Sequence, residues 1–102
     1  MTAPPTVAEL DLLIHEPARL RVLALLAMVE EADFMFLLRS TGLSRGNLSV
    51  QLRRLEEAEL VRLERQLFDG RARTSYALTT TGLTSLRTYK RAIASLLAAI
   101  PD

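Results

Sequence analysis

A chain of 102 residues with 49% hydrophobic and 25% charged side chains has the composition of one ordered domain built on a single core, and its formal charge is only +1. Cysteine is absent and His15 is the sole histidine, which excludes disulfides, thiolate metal sites and a histidine-built zinc or copper site. No apolar run approaches the roughly 20 residues of a membrane span, and Met1 to Pro5 has neither the basic region nor the apolar core of a signal peptide, so the cytoplasm is the expected location.

Thr2 to Pro5 reads as a frayed leader. Val7, Leu10, Leu13 and Ile14 then recur at helical spacing with Glu9 and Asp11 opposite, predicting a short helix over 7–14. Pro17 disfavours helix in the residue before it and suits the first turn of a new one, so a second helix is expected over 17–29. That helix is apolar over much of its circumference (Leu20, Leu23, Ala24, Ala27, Met28) and should be the central one. Glu30 to Asp33 is a polar break whose Asp33 can cap the next helix, from Phe34 to Ser40. Gly42 supplies a left-handed stop and Ser44 a further cap, so two helices meet across Thr41 to Leu43 within 33–58, the spacing of a helix-turn-helix.

After Leu60 the period becomes alternating. Val61 to Phe68 and Thr74 to Leu78 read as two strands of a hairpin over 61–78, with Asp69-Gly70 as a turn signal, Arg71 and Arg73 in the loop, and Tyr76 and Leu78 inward. Thr79 caps a last helix over 80–100, about 30 Å long at 1.5 Å per residue. Its Leu86, Tyr89, Ile93, Leu96 and Ile100 step by three and four, a coiled-coil seam widened by Leu83 and Leu97. The fold class expected is therefore mainly α with a two-stranded β-hairpin (α+β), in one domain spanning 1–102.

Charge is unevenly placed. Residues 1–35 hold two arginines against six acids, whereas 36–102 hold eleven basic residues against six acids. A basic region on one part of a domain is the footprint of a polyanion partner. On a helical wheel from Ser44 to Leu60, Leu48, Leu52 and Leu55 face the core, while Gly46, Ser49, Val50 and Arg53, flanked by Asn47 and Arg54, face out. The acids Glu56, Glu57 and Glu59 are held back to the far end. Small residues at a helix tip let the backbone approach a duplex, Ser and Asn bond base edges or phosphates, Val50 suits a thymine methyl, and arginine matches guanine bidentately. Taken singly these features also describe a capped, solvated helix.

The stretches "LIHEPARLRVLALL" (Leu13 to Leu26), "ADFMFLLRSTGLSRGNLSVQLRRLEEAELV" (Ala32 to Val61) and "RTSYALTTTG" (Arg73 to Gly82) resemble the winged helix-turn-helix transcriptional regulators related to the MarR and ArsR groups, of the small single-domain type. The resemblance covers nearly the whole chain. It implies that Ser44 to Glu59 is the recognition helix, Phe68 to Thr74 the wing, and the N- and C-terminal helices a homodimer interface. The sequence departs from such proteins at Glu59, where glycine is common, at Thr80-Thr81, where a Pro-Glu or Glu-Glu pair is common, and at Val50, which offers no hydrogen bond.

In that reading double-stranded DNA with a pseudo-palindromic operator is the partner. Arg45, Asn47, Ser49, Val50, Arg53 and Arg54 contact the major groove or its phosphates, with Asn47 and Arg53 the candidates for base edges. Thr41 and Ser44 donate to phosphates, and Arg71 and Arg73 reach a neighbouring minor groove. The dimer interface is expected at Val7, Leu10, Ile14, Leu86, Tyr89, Ile93, Leu96, Leu97 and Ile100. His15 is either a pH-sensing group at the dimer junction or, the better reading, a packing and hydrogen-bonding residue. No cofactor, metal or membrane is implied. No glycine-rich phosphate loop, cysteine nucleophile or paired histidine supports an enzyme. Two other readings stay open: a docking module of the same fold without DNA binding, and a repressor with an effector between dimer helices and core, for which no polar cluster defines a pocket.

Overall fold

The computed structural model describes residues 3–102; Thr2 of the expected leader lies outside them. Four helices, α1 (Pro17–Met28), α2 (Phe34–Thr41), α3 (Arg45–Glu57) and α4 (Thr80–Ala98), accompany three strands, β1 (Ala32–Asp33), β2 (Val61–Phe68) and β3 (Arg71–Leu78). The strands form one antiparallel sheet in the order β1-β3-β2.

The chain's first expected helix is shorter than its periodicity indicates. Only Val7–Glu9 forms a 3₁₀ turn, and Leu10 is already extended. The Asp11 carboxylate accepts from the Leu13 amide at 3.1 Å and the Ile14 amide at 3.4 Å, a local turn that competes with helix. The segment still delivers Ile14 to the core, where it is 0% exposed.

Glu16 then caps α1, its carboxylate accepting from the Ala18 and Arg19 amides at 3.1 and 2.8 Å while Pro17 occupies the first turn. This is the central helix: it packs against α2, α3, α4 and β3. Val22, Leu23, Leu25 and Leu26 meet Leu37 from α2, Leu48, Leu52 and Leu55 from α3, and Leu60, Val61 and Tyr89 in one cluster. Asp33 accepts from the Phe36 amide at 2.8 Å, and Gly42 closes α2 at φ +72°, a left-handed backbone that costs glycine little. Ser44 accepts from the Asn47 amide at 3.1 Å and starts α3.

The hairpin differs from expectation in three ways. A third strand, β1, occupies the end of the expected polar break, pairing Ala32 with Tyr76 and Asp33 with Ser75. The turn is only Asp69-Gly70, both at positive φ, as a tight two-residue hairpin requires, so Arg71 and Arg73 stand in strand β3 rather than in a loop. Tyr76 and Leu78 are half-buried against the core, whereas Ser75 and Ala77 are the buried pair, because β3 is the central strand and small side chains there are covered from both sides.

A compact junction joins α3, β2 and α4. Glu59 turns the chain at φ +62°, its carbonyl accepts from the Thr79 hydroxyl at 2.6 Å, and the Leu60 carbonyl accepts from the Thr79 amide at 3.1 Å. Thr79 in turn caps α4 through the Gly82 amide at 2.9 Å. Leu86, Tyr89 and Ile93 lay α4 on α1, and His15 Nδ1 meets the Tyr89 hydroxyl at 2.7 Å, which makes His15 a hydrogen-bonding and packing residue. The radius of gyration is 15.6 Å, above the ~13 Å typical of this length, so the chain is elongated. Among the described residues no helix is long and apolar enough to cross a membrane.

Candidate nucleic-acid interface

The helix-turn-helix holds α3 by its leucines. Leu48, Leu52 and Leu55 are buried, which leaves Arg45, Gly46, Asn47, Ser49, Val50, Arg53 and Arg54 exposed on one continuous surface. The first turn carries no acid, and Glu56, Glu57 and Glu59 lie at the opposite end. Free amides, the positive end of the helix dipole and Arg45 therefore act on the space in front of the α3 N-terminus, while Arg53 and Arg54 stand about two turns further along the helix. No atom lies within 4 Å of a Cβ placed on Gly46, so that part of the helix backbone is open to a large ligand.

The individual side chains are not equally available. Ser44 Oγ accepts from the Asn47 amide, and its own proton remains for a phosphate. Thr41 is half-buried: its hydroxyl donates to the Leu37 carbonyl at 2.7 Å and accepts from the Leu43 amide at 3.3 Å, so it fastens the turn, and a phosphate would compete for its only proton. Arg45 lies over Met35, with 3.7 Å between Nη2 and Sδ. Asn47 Oδ1 accepts from Gln51 Nε2 at 2.9 Å.

In β3, Arg71 and Arg73 are two residues apart and share a face, opposite Phe68 and Gln66. Arg71 is exposed near the turn. Arg73 Nη2 lies 3.4 Å from Asp33 Oδ2, tying the hairpin to the residue that caps α2. The Phe36 amide is the main cause holding the Asp33 carboxyl below its ordinary range; burial opposes it, and Arg73 adds to the lowering. Arg65 on β2 adds a further exposed cation that the alternation pattern gave no reason to single out.

A helix-turn-helix whose acid-free helix stands beside a basic two-stranded hairpin has a family. The winged helix DNA-binding domain family matches residues 18–97. The chain belongs to this family. Solved structures of similar shape include a transcriptional regulator homologue from Pyrococcus horikoshii, at 24% identity over 86% of this chain and 87% of that one, with a TM-score of 0.80. A MarR family transcriptional regulator from Silicibacter pomeroyi is 26% identical over 85% of this chain and 56% of that one, with a TM-score of 0.63. The transcriptional repressor CouR, solved on a 23-mer DNA duplex, is 28% identical over 78% of this chain and 55% of its own, with a TM-score of 0.69. This winged helix domain is thus placed among DNA-binding, MarR-like transcriptional regulators.

The residues expected at a dimer interface separate into two groups in the winged helix domain. Ile14 (0%), Tyr89 (5%) and Leu10 (9%) are buried within their own chain, while Leu86 and Ile93 are half-buried on the core and, with Tyr89, line an open groove between α1 and α4. Val7, Leu97 and Ile100 are well exposed, and Leu96 is half-buried. The polar residue that sequence reasoning passed over is Gln51: it stands on the leucine side of α3, between Leu48 and Leu55, and it is buried. Its place on that face was the available signal.

Proposed function

We propose that the protein is a sequence-specific regulator of transcription that binds double-stranded DNA as a homodimer, with α3 in the major groove and the β2–β3 hairpin near the adjacent minor groove. The observation that carries this reading is the outer surface of α3, where small and donor side chains surround an open backbone and every acid is kept to the far end. Arg53 and Asn47 read base edges; Arg45, Arg54 and Ser44 hold phosphates; Arg71 lies at the minor groove. CouR on its duplex supports a nucleic-acid role for the shared fold.

Dimerisation is supported by what the single chain leaves uncovered. Leu97 on α4 and Ile100 just beyond its end are 58% and 62% exposed, and an open apolar groove of about 420 Å³ runs between α1 and α4, lined by residues including Leu20, Ala24, Met28 and Ile93. A twofold pair would present two copies of α3 one helical turn apart, about 34 Å, and so call for a pseudo-palindromic operator.

Selection of bound sequences from random duplexes with the purified protein, at two salt concentrations, tests this function. Enrichment of a pseudo-palindrome whose affinity falls with salt is expected. Salt-independent capture without any enriched sequence would instead make the fold a protein-docking module.

A further inference from the structure

Arg19 and Gln51 are buried polar residues to which DNA contact assigns no part. The Arg19 guanidinium donates through Nε to the Leu13 carbonyl and through Nη1 to Gln51 Oε1 at 3.0 Å, and it lies 3.7 Å from the Glu16 carboxylate. A guanidinium has donors only, whereas a glutamine amide has an acceptor end and a donor end. Arg19 therefore dictates which way Gln51 lies: the carbonyl faces the cation and the amide nitrogen faces outward. Reversal would set two donors against each other at a site closed to water. The outward nitrogen donates to Asn47 Oδ1 at 2.9 Å. Asn47 thus has its oxygen turned inward, toward a buried neighbour, and its Nδ2 hydrogens lead toward the space in front of α3.

We propose that Arg19 and Gln51 are positioning residues that make Asn47 a donor-only reader of DNA, so that the base it favours is one whose major-groove edge offers acceptors and no donor, guanine or thymine. This rests on the DNA-binding reading above. The pairing of asparagine with adenine needs the side-chain oxygen and nitrogen level with the base edge, the oxygen accepting from N6 and the nitrogen donating to N7. An oxygen turned inward to Gln51 keeps a second lone pair but cannot lie level with the base edge beside the nitrogen, so half of that pair is withdrawn. Adenine then keeps the N7 bond alone and leaves its N6 donor unanswered, whereas guanine O6 and N7 and thymine O4 need only the donor.

The test uses the full chain in the random-duplex selection. The operator position that loses its preference in Asn47→Ala is the one Asn47 reads, and wild type is expected to favour G or T there by roughly tenfold. Gln51→Glu keeps an acceptor for Arg19 but cannot donate to Asn47, and Gln51→Met keeps the length with neither group. In both, preference at that single position should shift toward adenine or vanish while the other positions keep theirs, an outcome that general loosening of the fold would not produce. Adenine favoured at that position by the wild type overturns the proposal, and it does so even if neither Gln51 variant folds. An unchanged preference in both variants overturns it too, as does an Asn47→Ala protein that selects the same sequence as wild type, and each leaves DNA binding itself intact. A wild-type selection with no enriched sequence removes both readings together.

Discussion

Gly82 sits where α4 crosses the start of β2, and an alanine there is the sharpest test of how that junction is built. A Cβ on Gly82 would lie 2.0 Å from the Leu60 carbonyl oxygen, 2.9 Å from its carbon and 3.1 Å from Cα. Ordinary contact begins near 3.4 Å, so the helix or the strand must retreat by roughly 1.4 Å. The obstacle is backbone, which cannot rotate aside as a side chain would. Overpacking of this kind costs about 3 kcal/mol at the upper end of its usual range. The retreat also pulls on the bond from the Thr79 amide to the same carbonyl, worth about 1 kcal/mol, and alanine's better helix propensity returns about as much. A net loss of about 3 kcal/mol corresponds to a fall in melting temperature of roughly 12 to 20 °C for a chain of this size. Thermal unfolding followed by circular dichroism measures it. The matching control is Gly46→Ala, with nothing within 4 Å, which should gain about 0.5 to 1 kcal/mol in stability. If Gly82→Ala melted within about 3 °C of wild type, the close crossing of α4 over Leu60 would be wrong.

Glu59 holds a left-handed backbone at φ +62°, so Glu59→Gly should relieve more strain than it adds in chain entropy and stabilise the protein by about 0.5 to 1 kcal/mol, read by urea unfolding; a lower midpoint would refute this. The Asp33 carboxyl is held below its ordinary value of 3.8, first by the Phe36 amide, so its stabilising effect is complete above that pH and fades as pH falls through the lower folded value. Asp33→Asn, which can still cap α2, should therefore flatten the loss of stability below pH 3.8, and an acid-unfolding curve identical to wild type would remove Asp33 from that transition. Arg53→Ala should cost about 1 to 3 kcal/mol on the preferred sequence and relax one position, whereas Arg71→Ala should weaken all sequences alike and lower the salt slope by about 1 in binding titrations. Uniform weakening by Arg53→Ala, or an unchanged slope for Arg71→Ala, would reassign each contact. Leu97→Asp with Ile100→Asp should yield a monomer in sedimentation without loss of helix, and a persistent dimer would place the interface elsewhere.

The helices that read clearly from the residues are those whose signals are local. Pro17, Asp33, Gly42, Ser44 and Thr79 mark ends by groups that act on their own neighbours, and the leucine period of α3 survives translation into burial. What was illegible depended on distant partners. Two residues of β1 have no period, and they become a strand only because β3 offers Ser75 and Tyr76. The helix expected at 7–14 yields to Asp11, whose carboxylate bonds its own backbone without changing the apolar spacing. Arg71 and Arg73 looked like loop because alternation fades where both faces of a hairpin meet water. The α3 surface was legible from its composition, but the pairing of Arg73 with Asp33 and the relay from Arg19 to Asn47 join residues far apart in sequence, and no wheel displays them.

Pairing of β1 with β3, reinforced by Arg73 on Asp33, means that the hairpin and the entrance to α2 cannot be moved separately. In the proposed DNA complex the offset between what α3 would touch and what Arg71 would touch is then a fixed length, set like the gap between two teeth of a comb. In the proposed homodimer, adjustment to operators of different spacing would come from the end of the chain, where changes between Leu96 and Ile100 would alter the distance between half-sites without disturbing how either half-site is read.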